Sequence, residues 1–189
     1  SSDSVSGKSG EVIDYSTASK IQDYIAKGYV LVSDNFPTGT SYDNDTSVTQ
    51  TFTVVLKEAT GTVTPGDKPK PGDPVDPKNP NGPKWPDSVK DLVTTDDVTR
   101  TIKYVYAKDN SQASETVTQT ANFKRGATVN LVTGAITYGD WTSENSTLES
   151  KTSPVITGYL ADTKEVASKT VVAEGADETV TVSYTALGS

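Results

Sequence analysis

The chain has 189 residues, a formal net charge of −8 and an apolar fraction of 33%, with no cysteine, histidine or methionine. Without histidine the commonest general base, the Ser-His-Asp and Cys-His arrangements and most zinc sites are gone, so familiar hydrolytic chemistry is excluded. The 17 basic residues lie scattered among 25 acidic ones and cannot neutralise a run of phosphates, which sets nucleic acid aside.

No apolar stretch approaches the ~18 residues of a membrane helix, and nothing at the amino end reads as a signal peptide. A chain without methionine is expected to be an excerpt or processed piece of a longer protein. A polar, Thr- and Ser-rich composition without disulfides suggests a secreted Gram-positive surface protein. Length and proline placement predict two small domains with thin cores: residues 1–61, a proline-rich connector over 62–95, and residues 96–189.

In chain order, Gly7-Lys8-Ser9 lacks the upstream glycine spacing of a phosphate loop and reads as a turn, and the segment up to Ile13 reads as one strand. Ser16 or Thr17 can cap a helix over residues 18–27, in which Ile21, Tyr24 and Ile25 recur at helical spacing before Gly28 stops it. Residues 29–32 and 51–57 read as strands, the second with Phe52, Val54 and Leu56 on one face. That order makes an α+β unit. The acidic pairs Asp43 with Asp45 and Asp96 with Asp97 offer oxygen atoms for calcium. Neither has a full ligand loop with glycine and a closing glutamate, so solvated turns, and no metal or cofactor, are expected.

Eight of the ten prolines fall between Pro65 and Pro86. Such a run is expected to be extended and semi-rigid, a spacer whose Trp85 packs against a domain. Beyond it, Ile102, Tyr104 and Tyr106 alternate with polar neighbours, and Val117, Gln119, Ala121 and Phe123 repeat the period, so both segments read as half-buried strands with Tyr104 and Tyr106 in the core. Residues 129–138 read as a hairpin turning at Thr133-Gly134. A weak helical signal lies at 164–168, and residues 179–185 close the unit with Val180, Val182 and Tyr184 on one face. Gly28-Tyr29 and Gly158-Tyr159 stand at similar distances before the two closing strands, a faint internal echo.

The stretches 99–106, 117–123 and 132–141, followed by 153–159 and 180–184, resemble in order and spacing the mucus-binding repeats of lactobacillal surface proteins. Residues 6–11 and 34–37 resemble the amino-terminal half of the longer type of this repeat. The resemblance implies a mostly β chain of two small β-grasp, ubiquitin-like domains in elongated tandem, displayed outside the cell and anchored to the wall in the full-length protein. It implies mucin glycoproteins as partners, immunoglobulins for some members, and neighbouring repeats of the same protein. The family's repeat opens with a strand of the type at residues 102–106, and this chain begins beyond it. The first sheet is therefore expected to be truncated or completed by another chain.

Glycan binding needs an aromatic face for a sugar ring beside groups that bond its hydroxyls, and Tyr138, Asp140 and Trp141 supply those types together. The competing reading makes Tyr138 and Trp141 caps of a small core. Asp140 with Glu144 could pair as glycosidase carboxylates do, but with no nucleophile constellation the chain is expected not to be an enzyme. The expectation is an adhesion module whose weak single sites gain strength by repetition, with a structural spacer as the alternative.

Overall fold

The computed structural model describes residues 2–12, 15–36, 41–42 and 50–188. It divides into two compact units, neither contiguous in sequence: Ser1–Val63, Asp67–Leu92 and Ala127–Thr137 form one, and Thr64–Gly66, Val93–Gly126 and Tyr138–Ser189 form the other. The described residues are mostly β-structure with one α-helix.

In the first unit, α1 spans Ala18–Ala26. Ser16 Oγ accepts from the Ala18 N–H at 3.2 Å, whereas the Thr17 hydroxyl donates to the Asp34 carboxylate, so Ser16 serves the free helix donor. Gly28 takes a φ of 99° and ends the helix. Strands β1 (Tyr29–Asp34) and β2 (Val54–Glu58) pair antiparallel, with Tyr29 opposite Glu58, Leu31 opposite Leu56 and a bulge between Leu31 and Ser33. Phe52, Val54 and Leu56 are half-buried and Thr53, Val55 and Lys57 exposed, the period-two face the sequence predicts.

The strand expected before residue 13 does not form among the described residues. Val12 makes one isolated bridge to Ser41 and is exposed, and Gly10 at a φ of 86° breaks the run, leaving too few apolar groups to hold a ladder. Ile13, Asp43 and Asp45 lie outside the described residues.

A second sheet joins β3 (Thr60–Val63) antiparallel to β6 (Ala127–Asn130), with β7 (Ile136–Tyr138) beyond it. Val63, Val129 and Leu131 are buried in this unit, as is Val89 of the short 3-10 helix Asp87–Asp91. The expected hairpin forms. Gly134 N–H donates to the Asn130 carbonyl at 2.8 Å, Gly134 has a φ of 79°, and Asn130 Oδ1 accepts from the N–H groups of Val132 and Thr133.

The proline-rich run departs from the extended expectation over residues 72–85. Gly72 N–H donates to the Trp85 carbonyl, Trp85 N–H to that of Asp73 and Val75 N–H to that of Pro83, and Pro74 bridges Lys84. Proline lacks a donor but not an acceptor, so the glycine, valine and tryptophan between the prolines suffice to turn the chain back. Trp85 lies over Gly61, where a Cβ would sit 2.5 Å from its ring.

The second unit holds a four-stranded sheet in the order β10-β13-β4-β5, where β4 is Thr95–Tyr106, β5 Gln112–Lys124, β10 Tyr159–Ala161 and β13 Glu178–Ala186. The central pair β13–β4 is parallel, with Val182 opposite Tyr104, and the outer pairs are antiparallel. One face carries Val98, Arg100, Ile102 and Tyr104 from β4 and Val182 and Tyr184 from β13, all buried. Its cover comes from the two-residue strands β8 (Thr147–Leu148), β9 (Lys151–Thr152), β11 (Glu165–Val166) and β12 (Lys169–Thr170). The helical signal at 164–168 is thus overturned. Glu165 and Val166 pair with β9, and Val166 enters the cluster of Ile102, Tyr104, Val182 and Tyr184, an apolar contact that outweighs weak local propensity.

Candidate functional site

Residues 124–126 and 138–142 of the second unit are tied together by backbone. Lys124 and Thr142 exchange N–H to carbonyl bonds at 2.9 and 2.8 Å, and Gly139 N–H donates to the Gly126 carbonyl at 2.9 Å. This brings Tyr138, Asp140 and Trp141 beside the end of β5. The group that meets them there is Arg125. Its guanidinium carbon lies 3.6 Å from the Tyr138 ring centroid and 4.2 Å from that of Trp141.

Arg125 Nε donates to the Val93 carbonyl at 2.8 Å, and the Val93 N–H donates to the Tyr138 hydroxyl at 3.0 Å, so the backbone of one residue serves both partners of the stack. Trp141 is half-buried and packs against the cluster of Val98, Ala121, Phe123 and Leu148. Asp140 is exposed. The aromatic pair thus spends ring surface on a guanidinium, an arrangement sequence reasoning missed because no periodicity marks a basic residue just past a strand end. What the cluster offers solvent is a carboxylate, a tyrosine hydroxyl and the edge of a positioned guanidinium.

A second unforeseen residue is Arg100, 2% exposed on the inward face of β4. It donates to Gln119 Oε1 at 2.9 Å, to the Ala167 carbonyl at 2.8 Å and to the Glu149 carbonyl at 3.0 Å. These acceptors are neutral, and they fasten the covering loops to the sheet. Its role is structural.

Family models match both parts of the chain: residues 89–188 match a Muc B2-like domain and residues 1–58 a mucin binding domain. The crystal structure of Mub-RV is 29% identical, with a TM-score of 0.72 over 97% of this chain and 89% of that one. The type 2 repeat of the mucus binding protein MUB from Lactobacillus reuteri is 32% identical, with a TM-score of 0.55 over the same shares. The chain belongs to the Mub family of mucus-binding repeats. No curated protein matches it.

Within this Mub repeat the other sequence candidates take local partners. Asp96 accepts from the Glu174 N–H at 2.7 Å and Asp97 from the Asn122 side-chain amide at 2.7 Å, so one carboxylate holds the loop before β13 and the other the neighbouring strand β5. Among the described residues no group of three or more acidic side chains converges as metal ligands would, and no helix is long and apolar enough to cross a membrane. Trp85 lines a cavity of about 300 Å³ together with Thr62, Val63, Asp67, Lys68, Pro69 and Val75.

Proposed function

We propose that this Mub repeat is an adhesive module that binds host mucin glycoproteins outside the bacterial cell, through a surface that includes Tyr138, Asp140 and Trp141 with Arg125 between the rings. The observation that carries the reading is the match of residues 1–58 to a mucin binding domain, beside that of residues 89–188 to a Muc B2-like domain. The local chemistry is in keeping with it. A sugar presents hydroxyls that an exposed carboxylate accepts, and the two terminal amino groups of Arg125 make no hydrogen bond among the described residues and stay open to an oxygen acceptor. Single-site binding of this kind is weak, and repetition along a wall-anchored protein raises it.

We read the second unit as a β-grasp sheet. A parallel central pair flanked by antiparallel strands supports that reading, although loops and two-residue strands take the covering role in place of a helix.

The test is binding of the chain to immobilised mucin before and after deglycosylation, with immunoglobulin G as a second surface and with Asp140→Asn and Arg125→Gln as variants. Saturable binding that falls on deglycosylation and in both variants supports glycan recognition at this cluster. Binding that survives deglycosylation, or that appears on immunoglobulin G alone, removes the glycan reading. No binding at high concentration favours a spacer.

A further inference from the structure

The first and last strands of the second unit are neighbours and run the same way. Glu178 to Tyr184 of β13 stand opposite Arg100 to Tyr106 of β4, in parallel and without a bulge. Because the pairing is parallel, the end of β4 where the chain arrives, at Thr95, and the end of β13 where it leaves, at Ala186, lie at opposite ends of the ladder. A pull on the chain from either side of the unit therefore drags the two strands past each other along their length. On its other side β13 is held by β10, where Asp162 N–H donates to the Ser183 carbonyl at 2.9 Å and Ser183 N–H to Asp162 Oδ1 at 3.0 Å, so sliding β13 out breaks bonds on both of its edges.

The direction of a pull decides how a ladder fails. In sliding, every rung carries a share of the force at once, and a shift of about 1 Å takes an N–H and its carbonyl out of hydrogen-bond reach. In peeling, the whole force falls on one rung, and each residue pair released frees about 6–7 Å of chain, so the same force does several times more work along the way. A barrier crossed over a short distance is lowered little by force, and forced unfolding follows that barrier rather than equilibrium stability. On the inner face of the β4–β13 ladder Ile102, Tyr104, Val182 and Tyr184 are each at most 2% exposed, which keeps water from replacing the rungs from that side. Other pairs are placed to peel. Thr95 stands opposite Lys124 in the antiparallel β4–β5 pair, and in the first unit the start of β1 and the end of β2 lie side by side, Tyr29 opposite Glu58.

We infer that the β4–β13 pair is a shear clamp, and that the second unit has the further function of carrying tension along the polypeptide without unfolding. The four covering strands β8, β9, β11 and β12, each of two residues, all lie between β4 and β13 in sequence. Tension passes across the long ladder and bypasses these short pairs, which on their own would peel at low force. The inference does not rest on the mucin reading, since it depends on strand order and direction alone.

The experiment is single-molecule force spectroscopy on the 189-residue chain, pulled from pairs of introduced cysteines; the chain has none of its own, so each pair fixes the points of attachment. Thr95→Cys with Ala186→Cys pulls the β4–β13 ladder in shear, and Thr95→Cys with Lys124→Cys peels β4 from β5. All three positions are exposed, and the two proteins share one handle and one fold. At the same loading rate the first protein is expected to rupture at three or more times the force of the second. The length freed identifies the event, up to about 300–330 Å between residues 95 and 186 against about 95–105 Å between residues 95 and 124. Equal rupture forces, or a lower force for the 95 and 186 pair, would overturn the inference, because direction of pull would then make no difference.

Discussion

The guanidinium of Arg125 lies 3.6 Å from the centre of the Tyr138 ring, and Val93, whose carbonyl accepts from Arg125, donates its own N–H to the Tyr138 hydroxyl. A planar cation held by an aromatic face and a carbonyl cannot be replaced by a point charge. Arg125→Ala is expected to cost about 1–2 kcal/mol, the sum of a part-desolvated cation–π contact and one charge-assisted hydrogen bond. Arg125→Lys should recover less than half of that. Equilibrium urea unfolding of the three proteins gives the comparison, and full recovery by lysine would remove the stacking argument.

Arg100 supports the sheet from inside. Truncating it leaves the Ala167 and Glu149 carbonyls without these bonds and opens a void under β4, so Arg100→Ala should destabilise the second unit by about 3 kcal/mol or more. Arg100→Lys reaches fewer of the three acceptors and should fail as well. Retained stability in Arg100→Ala would mean the covering loops are held by their apolar residues alone.

Gly28 and Gly158 separate backbone strain from steric clash, because both have positive φ but only one is crowded. A Cβ at Gly28 would lie 2.2 Å from the Leu131 carbonyl oxygen, whereas nothing lies within 4 Å of one at Gly158. Gly158→Ala is expected to cost about 1 kcal/mol, the usual penalty of a left-handed backbone for alanine. Gly28→Ala should cost at least twice that. Thermal melts of the pair decide, and equal losses would show that backbone can shift away from residue 28 freely.

Alkaline pH should destabilise the second unit. Burial raises the phenol of Tyr104 above its usual value near 10, and burial, then the neighbouring Tyr104 and Asp162, raises that of Tyr184. A group whose folded pKa is raised contributes stability in full below the unfolded value, and that contribution is lost as pH climbs toward the folded value. The loss therefore begins near pH 10. Tyr104 Oη is buried without a hydrogen-bond partner, so Tyr104→Phe is expected to be neutral or stabilising at pH 7 and to flatten the fall above pH 10. Tyr184→Phe breaks the bond to the Pro154 carbonyl and should destabilise by about 1 kcal/mol at neutral pH. Unfolding monitored by tryptophan fluorescence from pH 7 to 11 reads both.

Where residues alternate or recur with a clear period, the sequence was legible. Ile102 and Tyr104, Val54 with Leu56, and Ile21 with Tyr24 and Ile25 all lie on the elements their spacing predicts, because a period of two or of 3.6 is a direct record of which side of a strand or helix meets the core; Phe52 keeps the same face but stands ahead of β2, which begins at Val54 rather than Thr51. The stops were legible too, Gly28 after the helix and Gly134 in the hairpin, since a positive φ selects glycine. Residues 164–168 misled, because four or five residues carry too little local energy to resist an apolar pocket that wants Val166. The candidate cluster was half legible. Tyr138, Asp140 and Trp141 are close in sequence, but Arg125 reaches them only through the bridge of Lys124 to Thr142.

By itself, the sequence determined the strongly periodic elements and their inward faces, the lack of histidine and cysteine chemistry, and the family resemblance, since each depends on residue identity and short spacing. Tertiary structure alone decided that proline-rich residues 72–85 fold back on themselves, that an arginine lies buried among neutral acceptors, and that a second one lies against two rings. Those facts depend on which distant peptides meet, and hydrogen bonds and ring contacts between residues far apart in the chain leave no period to read.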